Sequence, residues 1–271
     1  MFTNILDNVR TQRPTVHNIS NIVSANDCAN ITLACGAKPI MADSPLESAE
    51  ITANCHALCL SLGTPNADKA EAMLKSGKKA NELCLPVVFD PVGVGASEFR
   101  RNTAAKLAQN VHFTVIRGNI SEIKTLATGI SRAGVDASDE DICTDSTEDI
   151  IAFAKDFAKK SGCVIAISGK TDIVTDGKTA FCIFNGDHTM QYVTGAGCML
   201  TSLIGAFLAA NPNEPFNATA AAVCAMGLAG QIAARRMGAH DGNASYRNYL
   251  IDAIFSMSAK QLSEGADYEI K

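Results

Sequence analysis

Four short runs, ALCLSL (57–62), PVVFD (86–90), HFTVIR (112–117) and CVIAIS (163–168), are apolar almost without interruption. A strand with one wet face alternates apolar and polar side chains. A run that is apolar at nearly every step belongs to a strand covered on both faces, as parallel strands are under their crossover helices. Helical patterns separate these runs, over residues 66–83, roughly 100–110, 119–128 and 146–161. DIVTD-GK-TAFCIF (172–184) reads as a hairpin, because two β-rich runs flank Asp176-Gly177. Three helices follow, at about 199–210, 216–237 and 245–262. The order predicts an α/β fold: one doubly wound, mainly parallel central sheet with helices on both faces and a hairpin at one side. No Ser/Gly/Pro-rich linker and no internal repeat divides the chain, so residues 1–271 are expected to form a single domain.

Composition narrows the partners. The net charge is −5 and no Lys/Arg cluster occurs, which argues against nucleic acid or an anionic membrane as ligand. A small anionic cofactor would need a local trap. The ten cysteines form no C-x-x-C pair, and most sit inside apolar runs. Buried, reduced thiols in a reducing compartment, the cytoplasm, are expected. The start MFTNILDNVRTQRP has no basic-then-apolar leader pattern, and the apolar stretch 217–234 contains Asn, Thr and Gln, which suits a core helix better than a membrane span.

Ligands of such sheets sit beyond the carboxyl ends of the strands. The predicted ends carry Gly63-Thr64-Pro65-Asn66, Asp90-Pro91-Val92-Gly93, Arg117-Gly118-Asn119 and Ser168-Gly169. The most informative stretch is VTGAGCMLTSLIGAF (193–207), a glycine turn leading into an apolar helix. Such a turn aims free amides and the positive end of a helix dipole at one point, a place for an anion. The same glycines also suit an ordinary tight loop before a core helix. Asp90 fits either an Asx-type turn or a carboxylate facing a cation or a metal-bound phosphate. Asn119 and Glu122 have the spacing of a helix capping box, which spacing alone favours. If the strands ending at Asp90 and Asn119 are neighbours, though, Asp90 and Glu122 share a rim where Mg²⁺ can be held with its waters and phosphates. Arg117 on that rim would then face a phosphate, although an arginine on a rim is usually just a solvated charge. Cys198 admits three readings: a nucleophile at a helix N-terminus, a thiol lining the site of phosphate transfer, or a small buried plug. A nucleophile needs a base, and no spacing designates one of the five histidines. VHNISN (16–21) and PIMA (39–42) match no general motif, and Met41 is by default a core residue.

Taken together, VHNISN, GAKPIMA (36–42), GTPN, DPVGVGAS (90–97), IRGNISEI (116–123), IAISGKTDIV and VTGAGCMLTSLIGAF resemble, in order and over nearly the whole chain, the hydroxyethylthiazole kinase family of the ribokinase-like superfamily. The resemblance implies ATP-dependent phosphorylation of the primary alcohol of 4-methyl-5-(2-hydroxyethyl)thiazole in thiamine salvage, with Mg²⁺, in a homotrimer with substrate sites at subunit boundaries. By motif it implies ATP contacts from Arg117 and Ser168, substrate contacts from Met41 and Gly195, and a metal–phosphate region at Asp90 and Glu122. It also implies a catalytic position for Cys198, where most ribokinase-like enzymes carry aspartate. The segment 241–245, DGNAS, departs from the glycine-rich pattern usual there. Alternative readings are a hydroxymethylpyrimidine kinase, a cysteine-dependent hydrolase, and a nucleotide-binding module without turnover.

Overall fold

The computed structural model describes residue 2, residues 4–129 and residues 146–271. One nine-stranded sheet has the order β2-β1-β3-β4-β5-β6-β7-β8-β9. Strands β1 (Thr15–Ile19), β2 (Lys38–Met41), β3 (Ala57–Ser61), β4 (Val87–Asp90), β5 (Val115–Asn119) and β6 (Val164–Ser168) run parallel. β7 (Asp172–Thr175), β8 (Ala180–Ile183) and β9 (Tyr268–Ile270) extend the sheet antiparallel. The hairpin turns as expected at Asp176, whose Oδ1 accepts from the Lys178 and Thr179 amides, with Gly177 at φ 90°.

The apolar runs are continuous because consecutive residues feed two different cores. Cys59, Val88, Val115 and Val164 face the layer of α1 (Ile5–Gln12), α2 (Ala25–Ala34), α8 (Ala196–Ala210), α9 (Pro215–Arg236), α10 (Asn243–Ser256) and α11 (Ala259–Gly265). Leu58, Leu60, Val87, Phe89, Ile116 and Ile165 face the layer of α4 (Ala67–Glu82), α5 (Glu98–Asn110), α6 (Ile120–Gly129) and α7 (Thr147–Ser161). Helix α3 (Ser48–Ala53) follows β2 and packs on α4. The fold is the predicted one, with helices on both faces of a mainly parallel sheet.

Three differences from expectation have physical causes. β1 escapes an apolar-run search because His17 and Asn18 are buried within it. His17 Nε2 lies 2.7 Å from the Ala42 carbonyl and Nδ1 lies 2.9 Å from Thr52 Oγ1, while Asn18 Oδ1 accepts from Ser202 at 2.8 Å. β2 is an edge strand, so Met41 is 39 % exposed rather than in the core. The predicted helix 245–262 is two helices, since Met257 is extended and Ser258 caps α11 by accepting from the Gln261 amide. The described cysteines are free and all are buried but Cys84; Cys143 lies outside the described residues. Among the described residues, α9 is the helix long and apolar enough to cross a bilayer, and 78 % of its apolar window is buried in the protein.

Candidate active site

β4 and β5 are neighbours, so the carboxyl ends carrying Asp90 and Arg117 come together. Asp90 has no solvent exposure and Arg117 is 8 % exposed. The guanidinium lies 3.6 Å from Asp90 Oδ1 through one nitrogen, and the other donates to Ser168 Oγ at 2.8 Å, bridging from β4 across to β6. Asp90 Oδ2 accepts from Thr201 of α8 at 2.9 Å. Burial pushes the Asp90 carboxyl up to about 6 although Arg117 pulls it down, and the nearby Glu122 carboxylate adds to the rise. Asp90 Oδ1 and Arg117 Nε are buried with no hydrogen-bond partner in the protein. Two orphaned polar atoms within one buried ion pair mark a place where a ligand completes the network.

Helix α8 aims its first turn at the same place. Gly195 precedes it at φ 85°, and a Cβ there would stand 2.5 Å from Ser24 Cβ, so only glycine fits. A Cβ on Gly197 would reach 2.4 Å from the Arg117 guanidinium, which therefore rests on the bare backbone of the first turn. The early amides of this turn have no carbonyl partner within the helix and join the guanidinium in a positive locus. Beside it opens a cavity of about 760 Å³, lined by Arg117, Ser168, Asp172, Gly186, Met190 and Gly197 among others. This volume suits a cofactor-sized ligand.

Cys198 sits in the same first turn, 7 % exposed. Its sulfur accepts from Asn21 Nδ2 at 3.0 Å and lies 3.8 Å from Ser61 Oγ. Burial and the Asp90 charge push its thiol up to about 11, so it is protonated at neutral pH. No histidine is among these partners. The thiolate–histidine pair of a cysteine hydrolase is not built here.

Glu122 forms the capping box. Its Oε2 accepts from the Asn119 amide at 2.9 Å while Asn119 Oδ1 accepts from the Glu122 amide at 2.8 Å. Its Oε1 accepts from the Gly93 amide at 2.9 Å, which ties the loop after β4 to the head of α6. The capping reading of the sequence is thus present, and the carboxylate still stands close enough to Asp90 to raise its pKa. Among the described residues, no group of three or more His, Cys, Asp or Glu side chains converges to hold a metal. One orphaned carboxylate oxygen with a second carboxylate nearby instead fits a magnesium ion that keeps most of its waters and phosphates.

Met41 lies apart from the Arg117–Asp90 pair, at the exposed end of β2 beside β1. Ser24, Ser61 and Thr201, which surround Cys198 and Asp90, were not legible as site residues. They are ordinary small polar residues, and only the packing of α8 against α2, β3 and β4 gathers them.

A phosphate-sized positive locus at a glycine-mouthed helix, beyond the carboxyl ends of a parallel sheet and beside a cofactor-sized cavity, is an arrangement suited to an enzyme that holds and transfers a phosphoryl group. The hydroxyethylthiazole kinase of Pyrococcus horikoshii OT3 superposes with a TM-score of 0.87 at 31 % identity, over 100 % of this chain and 98 % of that one. The model of the "Hydroxyethylthiazole kinase family" matches residues 6–260. Hydroxyethylthiazole kinases of Clostridium acetobutylicum and Ruminiclostridium cellulolyticum are 52 % and 45 % identical, with 97 % of this chain covered in both and 97 % and 95 % of theirs. The chain belongs to the hydroxyethylthiazole kinase family and is a phosphotransferase with an alcohol group as acceptor.

Proposed function

We propose that the protein transfers the γ-phosphoryl group of ATP to the primary alcohol of 4-methyl-5-(2-hydroxyethyl)thiazole, a step of thiamine salvage. The observation that carries this reading is the convergence of Arg117, Ser168 and the bare first turn of α8 on one cavity mouth, with Cys198 next in the chain after the lining residue Gly197. Arg117 and Ser168 hold the ATP phosphates, and the α8 amides take up charge as the phosphoryl group moves. Met41 and Gly195 bound the thiazole side. Asp90 and Glu122 would hold Mg²⁺ here, and the ion would supply charge neutralisation on the phosphates. Residues 1–271 act as one catalytic domain, which the single sheet running from Thr15 to Ile270 supports. Buried free thiols support a cytoplasmic setting.

Phosphoryl transfer passes through a loose transition state in which the alcohol keeps its proton until late. A strong base therefore contributes little, and a protonated thiol beside the alcohol suffices. Cys198 lines the point of transfer and positions the acceptor rather than attacking it. A second carboxylate at that position would add charge to a pocket where Asp90 is already costly to ionise.

A coupled ADP-release assay tests the proposal with the thiazole alcohol, hydroxymethylpyrimidine or no acceptor. ADP formation that needs both Mg²⁺ and the thiazole alcohol is expected. Turnover with the pyrimidine alone, or nucleotide binding without ADP release under any condition, would overturn it.

A further inference from the structure

Asn21 closes the corner between β1 and α2, and it is 6 % exposed. Its Oδ1 accepts from the amides of Val23 and Ser24, both at 3.0 Å. Those bonds decide which end of the side-chain amide is which, because the opposite placement would set NH₂ against two N–H donors. Nδ2 is thereby turned inward and donates to Cys198 Sγ at 3.0 Å. Gly63, after β3, backs the arrangement: a Cβ there would stand 2.7 Å from both Asn21 Cβ and Nδ2. A side chain pinned by two backbone donors, wedged against a bare glycine and aimed at one sulfur is more than a turn cap needs.

We infer that Asn21 is a positioning residue for phosphoryl transfer, fixing Cys198 by donating a hydrogen bond to its sulfur. With the sulfur engaged on that side, the S–H is left to Ser61 Oγ, 3.8 Å away. The thiol then presents one fixed face to the acceptor alcohol. In a reaction carried by alignment, a wall that changes rotamer costs rate even when it does no chemistry. The inference rests on Cys198 lining the point of transfer.

The test is a double-mutant cycle. Asn21→Asp keeps the oxygen that accepts from Val23 and Ser24 and loses the donor to sulfur, whereas Asn21→Ala loses both. With ATP and the thiazole alcohol, Asn21→Asp should lower kcat by about tenfold or more, with the KM for ATP changed less than about twofold and Tm nearly kept. In a Cys198→Ala background the same substitution should change kcat by less than about twofold. Native kcat in Asn21→Asp, with losses confined to the stability of Asn21→Ala, would reduce the residue to a turn cap and overturn the inference. An equal fall in both backgrounds would also overturn it, since the new carboxylate would then act on the phosphates directly. Should Asn21→Asp not fold, Gly63→Ala serves in the same cycle, because it displaces the amide without changing it. A loss present with Cys198 and absent without it is again expected, and equal losses overturn the inference. Full kcat in Cys198→Ala alone would remove the thiol from the transfer point, a failure distinct from the others that takes this inference with it.

Discussion

Asp90 is carried by β4 to a place with no solvent, facing one guanidinium, one hydroxyl and one thiol. Its carboxyl titrates near 6 in the fold against 3.8 as a free side chain, because burial outweighs the attraction of Arg117. Between those values the folded protein binds the extra proton, so this group makes stability fall as pH rises from about 4 to about 6. The penalty is fully present above that window. Ligand-free Asp90→Asn is therefore expected to melt later than the native protein at pH 8, by roughly 1–3 kcal/mol of stability, with the gap closing toward pH 4. The same variant should lose at least about tenfold in kcat, the usual scale for a lost transition-state charge contact. Thermal melts across pH with matched kinetics check both halves, and a variant less stable at pH 8 would contradict the assignment. At this scale the sequence offered Asp90, Arg117, Ser168 and Cys198 as polar residues at strand and helix ends. It offered nothing for Asn21 or Thr201, whose roles exist only through partners far away in the chain.

Helix α8 and the head of α6 separate fold from function at the level of elements. Gly197 lies in the first turn of α8, where alanine is ordinarily the better helix former. Its Cβ would collide with the Arg117 guanidinium, the far end of a flexible side chain that can move aside. Gly197→Ala should thus leave Tm unchanged or slightly raised while the KM for ATP rises about tenfold or more. Differential scanning fluorimetry and steady-state kinetics on one preparation measure the two, and a variant native in both would remove Arg117 from the nucleotide site. Glu122 behaves differently, because each of its oxygens carries a backbone amide. Glu122→Gln sets an NH₂ group against one of these donors, so stability should fall by about 0.5–2 kcal/mol, the range for a lost cap. Turnover should fall with it, since the Gly93 loop beside Asp90 is released. A stability loss with unchanged kinetics would leave Glu122 a cap only. The strand runs, the hairpin and most helices were readable because their periodicity is local. β1 and β2 were not, because buried polar residues in one and an edge position in the other erase the apolar signal.

At the scale of the molecule, exposed apolar side chains gather where β1 and β2 end. Ile22 and Val23 after β1, Met41 at the end of edge strand β2, and Leu46 before α3 are exposed, Leu46 to 94 %. Covering such side chains is worth about 1.5–3 kcal/mol each, and an uncovered edge strand invites pairing or packing. We propose that further copies of the chain cover these side chains in a homotrimer, which places Met41 at a boundary that a substrate can reach. Ile22→Asp combined with Leu46→Asp should yield smaller species by light scattering, with activity lowered by about tenfold or more. A native protein that is monomeric and fully active at assay concentration would sink the trimer. The sequence by itself determined the layers, since runs apolar at every step require cover on both faces and glycines before an apolar helix give a mouth of free amides. Tertiary structure decided what that mouth faces. The adjacency of β4, β5 and β6 and the seat of α8 bring Asp90, Arg117, Ser168 and Cys198 to one point, because contacts between residues so far apart in the chain are set by packing and leave no local pattern to read.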